Sequence, residues 1–163
     1  MRTVLAHKIA LDPTPAQREF FQRAAGTTRF TWNWALAEWQ DRYQHGEKPT
    51  GNLLKKVFNA LHWEQLPWTY EVHRDATARP FADLQQAFRN FFKGRAAYPK
   101  LKKKGRCPDS FYVACDKLRL EGKTVTLPKI GPVRMREALR FDGQILGATV
   151  SREANQWDIS LQV

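Results

Sequence analysis

The residues best equipped for chemistry lie together, between Arg89 and Arg106. This stretch holds eight basic side chains (Arg89, Lys93, Arg95, Lys100, Lys102, Lys103, Lys104 and Arg106), no acid, and the interleaved aromatics Phe91, Phe92 and Tyr98. Lysine and arginine neutralise phosphates by displacing condensed counterions, and aromatic faces stack on unpaired bases. The pattern therefore points to a nucleic-acid surface. Pro99 and Gly105 favour an extended loop, which also fits a solvated linker.

The wider charge distribution supports the first reading. The chain has 163 residues and a formal net charge of +11. Residues 89–136 carry fourteen Lys/Arg against three acids (Asp109, Asp116 and Glu121), which accounts for the whole excess. The remainder holds thirteen basic and thirteen acidic residues and balances. Charge concentrated in this way marks a partner of opposite sign. Lys129, Arg134 and Arg136 extend the candidate set within the basic segment. Lys8, Arg29, Arg74 and Arg152 complete it outside.

Signals for catalysis are weak. His7, His45, His62 and His73 are scattered and form neither HExxH nor a triad order. There is no glycine-rich phosphate loop. Cys107 and Cys115 are not spaced as CxxC and have no second pair to complete a zinc site. They read as reduced cytosolic thiols. We expect no catalytic residue, metal or cofactor in this chain. No apolar run approaches the ~20 residues of a membrane span, and the N-terminus lacks the apolar core of a secretory signal. A cytoplasmic protein, nucleoid-associated when bound to DNA, is expected.

Several elements must position these residues. Residues 2–11 read as a strand. Thr14, Pro15 and Gln17 then form a helix start with a capping box. Phe20, Phe21, Ala24 and Ala25 give that helix its apolar face, and Gly26 is expected to close it as a left-handed cap. A second helix over 28–45 buries Trp32, Leu36, Trp39 and Tyr43. A third covers 52–62 through Leu54, Val57, Phe58 and Leu61. A fourth runs to Phe92 through Phe81, Leu84 and Phe88. Pro80 should kink it or start it anew, and Gly94 should stop it. After residue 106 short strands follow: Phe111–Cys115, Leu118–Leu120, Thr124–Leu127, Val133–Met135, Ile145–Ser151 and Trp157–Val163. Glycine- and asparagine-containing turns separate them. The expected fold is α+β: a small β-barrel built from the first strand and the C-terminal strands, with an inserted helical bundle. The domains are 1–11 as first barrel strand, 12–94 helical, 95–106 basic linker, and 107–163 as the rest of the barrel.

The helices at 14–25 and 28–45 also permit a helix-turn-helix. In that motif the second helix offers polar side chains to the major groove. Here Trp32, Trp34 and Trp39 occupy much of that helix, leaving Arg29, Asn33 and Gln40 for base edges. An αα-hairpin packed into a bundle is the plainer reading.

Six stretches carry a family resemblance: KIALDPTPAQ (Lys8–Gln17), TRFTWNWAL (Thr28–Leu36), LQQAFRNFFKG (Leu84–Gly94), YPKLKKKG (Tyr98–Gly105), LPKIGPVRMR (Leu127–Arg136) and ATVSREANQWDISLQV (Ala148–Val163). Together they resemble the N-terminal part of the transposon-encoded TnpB, or OrfB, family of compact RNA-guided DNA nucleases. The resemblance implies an oligonucleotide-binding-type barrel, the wedge domain, interrupted by a helical recognition domain. It implies a structured guide RNA and target DNA as partners, with sequence choice left to base pairing. Contact with nucleic acid carries over to Lys100, Lys102, Lys103, Lys104, Lys129, Arg134 and Arg136. Arg74 and Ala78 would face the duplex beside the target. The family's RuvC-type nuclease domain, with its metal-binding acids and zinc ribbon, is expected to be missing here. On that expectation the chain is a binding lobe that does not cut DNA by itself. A stand-alone helix-turn-helix DNA-binding transposase protein and a non-functional remnant are the alternatives.

Overall fold

A computed structural model describes residues 3–140 and 142–163, with nothing said of the side chain of His62. The predicted strand at 2–11 thus begins outside the described residues. The element order is β1 (Ala6–Asp12), α1 (Pro15–Gln44), α2 (Gly51–Gln65), α3 (Asp75–Phe92), β2 (Ser110–Ala114), β3 (Arg119–Glu121), β4 (Thr124–Leu127), β5 (Gly131–Met135), β6 (Gly147–Glu153) and β7 (Gln156–Gln162). The chain divides into two compact units: one is the chain up to Ala25 together with Pro108–Val163, the other Gly26–Cys107.

In the first unit all pairings are antiparallel and the strand order is β2-β6-β7-β1-β5-β4-β3. The N-terminal strand does join the C-terminal ones. Ala6–Ala10 pair with β7, while Leu11 and Asp12 turn to β5. The expected closed barrel is not formed. Among the described residues β2 and β3 remain the two edges of an open seven-stranded sheet. β3 has three residues, too few to carry the ladder round to β2. Alternating burial along β1 and β4 aims Ile9, Leu11, Val125 and Leu127 inward. The first turns of α1 cover this face. Phe21 lies 5.2 Å from the Trp157 ring and 5.6 Å from Phe111, centroid to centroid.

The predicted start of α1 is present. The Thr14 amide donates to Gln17 Oε1 at 2.9 Å, and the Gln17 amide donates to Thr14 Oγ1 at 3.2 Å. A reciprocal cap of this kind contributes on the order of 1 kcal/mol. Gly26, however, does not end the helix, which runs unbroken for 30 residues. The buried residues Phe21, Ala24, Ala25, Trp32, Ala35, Leu36 and Trp39 keep one helical phase across the glycine. That continuous stripe outweighs the ~1 kcal/mol propensity cost of one internal glycine. Helix α1 instead ends before Gly46, at φ 82°. The stripe stops at Trp39, since Tyr43 is 62% exposed.

In the second unit, Trp32, Leu36 and Trp39 of α1 pack with Leu54 and Phe58 of α2 and with Phe81, Leu84 and Phe88 of α3. Trp39 and Phe88 stack at 4.3 Å with 9° between planes. α2 starts where it touches α3. The Gly51 amide donates to Gln85 Oε1 at 2.7 Å, and a Cβ there would stand 2.6 Å from the Phe81 carbonyl. Pro80 does not start a new helix, because α3 runs through it from Asp75. Proline has no N–H for the carbonyl of Ala76, four residues back. The Thr28 hydroxyl takes its place and donates to that carbonyl at 2.9 Å. Gly94, at φ 73°, closes α3 as expected, and its amide donates to Phe91 O. His73 is buried. No described helix is long and apolar enough to cross a membrane.

Candidate nucleic-acid interface

The predicted site residues fall in both units. Arg29, Arg74, Arg89, Lys93, Arg95, Tyr98, Lys100, Lys102, Lys103, Lys104 and Arg106 lie in Gly26–Cys107. Lys8, Lys129, Arg134, Arg136 and Arg152 lie in the sheet unit. What distinguishes them is whether the protein already supplies a partner.

In the sheet unit several do have one. Lys8 Nζ stands 3.7 Å from Glu153 and 3.9 Å from Asp158. Arg152 pairs with the buried Asp109 and lies over the Trp157 ring at 5.6 Å. Arg134 projects from the exposed side of β5, directly opposite Asp12 in the ladder. Arg136 is exposed just beyond β5, and its amide donates to Ala10 O at 2.9 Å. Lys129 is exposed in the β4–β5 turn at φ 68°. Arg152 and Lys8 thus each have an acidic partner within the sheet unit.

In the other unit the basic run is folded back against α1. Asn33 grips Lys102 through its backbone: Nδ2 donates to the Lys102 carbonyl at 2.8 Å, and Oδ1 accepts from the Lys102 amide at 2.7 Å. Trp32 Nε1 donates to the Lys100 carbonyl at 2.9 Å. Tyr98 stands edge-on to Phe88 at 5.4 Å and to Phe91 at 5.1 Å, and Pro99 is buried. Gly105, at φ 83°, allows the turn in which the Arg106 and Cys107 amides both donate to Lys103 O.

This ledge sorts the lysines. The Lys102 side chain turns inward, with Nζ 4.2 Å from the centroid of Trp32. Burial pushes its pKa below the usual lysine value, against the opposing pull of Asp83 and Cys107. Lys93, Arg95, Lys100, Lys103, Lys104 and Arg106 are exposed, and none forms an ion pair or side-chain hydrogen bond among the described residues. Arg89, also exposed, donates to Gln86 Oε1. Arg74 is exposed immediately before α3, Ala78 is half-buried on that helix, and Arg29 is half-buried on α1. Six unpaired cations on one segment repel one another, and an anion spanning them relieves that repulsion.

Sequence reasoning placed Lys102 with the exposed cations and reserved Asn33 for a DNA groove. In the structure the Asn33 amide is spent on the Lys102 backbone, and the Lys102 ammonium lies over Trp32. Trp32, as a donor to this segment, was missed. Its partner lies 68 residues away, and no local pattern announces such a pairing. Among the described residues no cluster of three or more His, Cys, Asp and Glu could hold a metal ion.

Residues 1–48 match the OrfB/IS605 helix-turn-helix domain family. The Escherichia coli (strain K12) protein named "Putative RNA-guided DNA endonuclease InsQ" is 31% identical over 164 residues, covering 99% of this chain and 41% of that protein. A Streptomyces pristinaespiralis protein of the same name without the suffix is 28% identical over 163 residues, covering 96% and 40%. The chain is a homologue of TnpB/OrfB proteins. It spans about two-fifths of the length of the curated relatives it matches. Within the described part of the OrfB match lie β1 and the single helix α1. No turn interrupts that helix at Gly26, so Pro15–Gln44 form one helix and not two.

Proposed function

We propose that this chain is the nucleic-acid-binding lobe of a TnpB/OrfB-type transposon protein. In this reading it holds a structured guide RNA, and target DNA or the guide–target heteroduplex, mainly by phosphate contacts. Strand cleavage is left to residues outside those described. The open sheet, with Arg134, Arg136 and Lys129 on its exposed parts, serves as an oligonucleotide-binding platform. The observation that carries the reading is the row of six exposed, unpaired cations between Lys93 and Arg106, on a segment whose backbone Trp32 and Asn33 hold at Lys100 and Lys102. A segment whose lysines served only solubility would have no need to be pinned so closely to α1. The rival reading, a stand-alone helix-turn-helix that reads bases, loses Asn33 to the Lys102 backbone.

The test is a salt titration of binding. Lys100, Lys103, Lys104 and Arg106 are replaced together by Gln, and affinity for an RNA hairpin and a DNA duplex is followed by fluorescence anisotropy. Each duplex phosphate released should remove about 0.9 from the log–log slope, so the variant should lose up to about 3.6 between roughly 50 and 200 mM salt. The loss should be the same for unrelated sequences. An unchanged slope would refute the reading.

A further inference from the structure

The ledge and α1 together enclose a groove of about 480 Å³. This lies within the roughly 300–1,000 Å³ typical of small-ligand sites. Leu36 and Gln40, one helical turn apart on α1, form one wall, and Leu101 lies against them. Lys100, Lys103 and Arg106 stand at the rim. The groove is thus apolar inside and cationic at the edge, with one uncharged amide in its wall. That amide makes no hydrogen bond among the described residues, although Gln40 is half-buried.

From this arrangement we infer that the groove receives a single unpaired nucleotide, its base against Leu101 and its flanking phosphates on Lys100, Lys103 and Arg106. The inference rests on the nucleic-acid reading above and specifies what that segment binds. A paired base is stacked on both faces and keeps its apolar surface within the duplex, so an intact helix could reach the rim cations but would leave the groove empty. A base displaced from the stack carries what this groove lacks: a flat apolar face for Leu101, and an edge bearing both donors and acceptors for the Gln40 amide. A free inorganic anion would satisfy the rim alone. The Leu101 side chain is 56% exposed without an occupant, and a bound base would cover it.

Cys107 lines the same groove, so its thiol reports occupancy. The other cysteine, Cys115, lies in the sheet unit and is removed as Cys115→Ser. The rate of Cys107 alkylation is measured in the full chain alone, with an RNA hairpin bearing one bulged adenosine, and with the same hairpin fully paired. Anisotropy verifies that each RNA is bound. The bulged hairpin should slow alkylation about tenfold and the paired one should not. It should also bind about tenfold more tightly, in line with one good amide–base contact plus apolar burial. Gln40→Ala and, separately, Leu101→Asp should each erase that preference. Binding of both hairpins with equal affinity and no selective protection of Cys107 would overturn the nucleotide site while leaving phosphate binding intact. Binding of neither hairpin would overturn the proposed function and this inference together. DNA hairpins of the same two designs show whether the 2′-hydroxyl matters.

Discussion

Replacing Gly26 by alanine tests the point on which the structure and the helix-turn-helix description of this region diverge. In the structure Gly26 is an interior residue of α1 with no positive φ. An added Cβ would meet only the Arg29 guanidinium, at 3.7 Å, an ordinary contact with a flexible group. No steric cost then offsets the propensity gain of alanine over glycine, about 0.8–1.0 kcal/mol in a helix interior. The variant should be more stable by about 1 kcal/mol. With a urea m-value of roughly 1–3 kcal/mol/M, its unfolding midpoint should rise by about 0.3–1 M. Were Gly26 the left-handed residue of a turn between two helices, alanine would cost about 1–2 kcal/mol instead. The two arrangements predict opposite signs. Urea unfolding followed by far-ultraviolet circular dichroism decides between them, and a lowered midpoint would refute the continuous helix.

Other side chains give comparable tests. Thr28→Val removes the hydroxyl that serves the Ala76 carbonyl beneath Pro80 and should cost about 1–3 kcal/mol in urea unfolding. Thr28→Ser should retain most of the stability. Asn33→Ala removes two hydrogen bonds to the Lys102 backbone, together worth about 1–3 kcal/mol. Hydrogen exchange at the Lys102 amide should accelerate, while any DNA sequence preference stays unaltered. If exchange were unchanged and base preference altered, Asn33 would be a groove reader. His45, at the end of α1, has its pKa raised by the Asp41 carbonyl and then by the Asp41 charge. Its contribution to stability is fully present below the ordinary histidine pKa of 6.5 and is lost as pH rises through the raised folded value. An NMR titration of His45 placing its midpoint below 6.5 would contradict the assignment.

The features legible in the sequence were those fixed by neighbours along the chain. The Thr14–Gln17 box, the closing glycines Gly46 and Gly94, and the limits of β4 each depend on a few consecutive residues. The union of β1 with the C-terminal strands was also legible, because an isolated strand must find a ladder. Where the reading failed, a distant partner decided. Pro80 looks like a helix start until Thr28 supplies the missing donor. Gly26 looks like a cap until Trp32, Leu36 and Trp39 are seen to share the phase of Phe21. Whether the sheet closes depends on whether β2 and β3 meet, which no hydrophobic pattern specifies.

The basic run shows the same lesson at the functional level. In sequence, Lys102, Lys103 and Lys104 are interchangeable. In the structure the first is a packing residue beneath Trp32, and the other two are exposed. A triple charge reversal at these positions would place a carboxylate against Trp32 and confuse loss of folding with loss of binding. Sparing Lys102 separates the two effects. The held backbone bears on the proposed function: a free lysine-rich linker would have to be ordered on each encounter with an anion, at a cost of about 0.5–1.5 kcal/mol per immobilised side chain and more for its backbone. Here Asn33 and Trp32 hold the backbone from Lys100 to Lys102 before any partner arrives. Part of the ordering cost has therefore been met during folding, and under the proposed function the exposed cations beside Lys102 would meet phosphates from a backbone already in place.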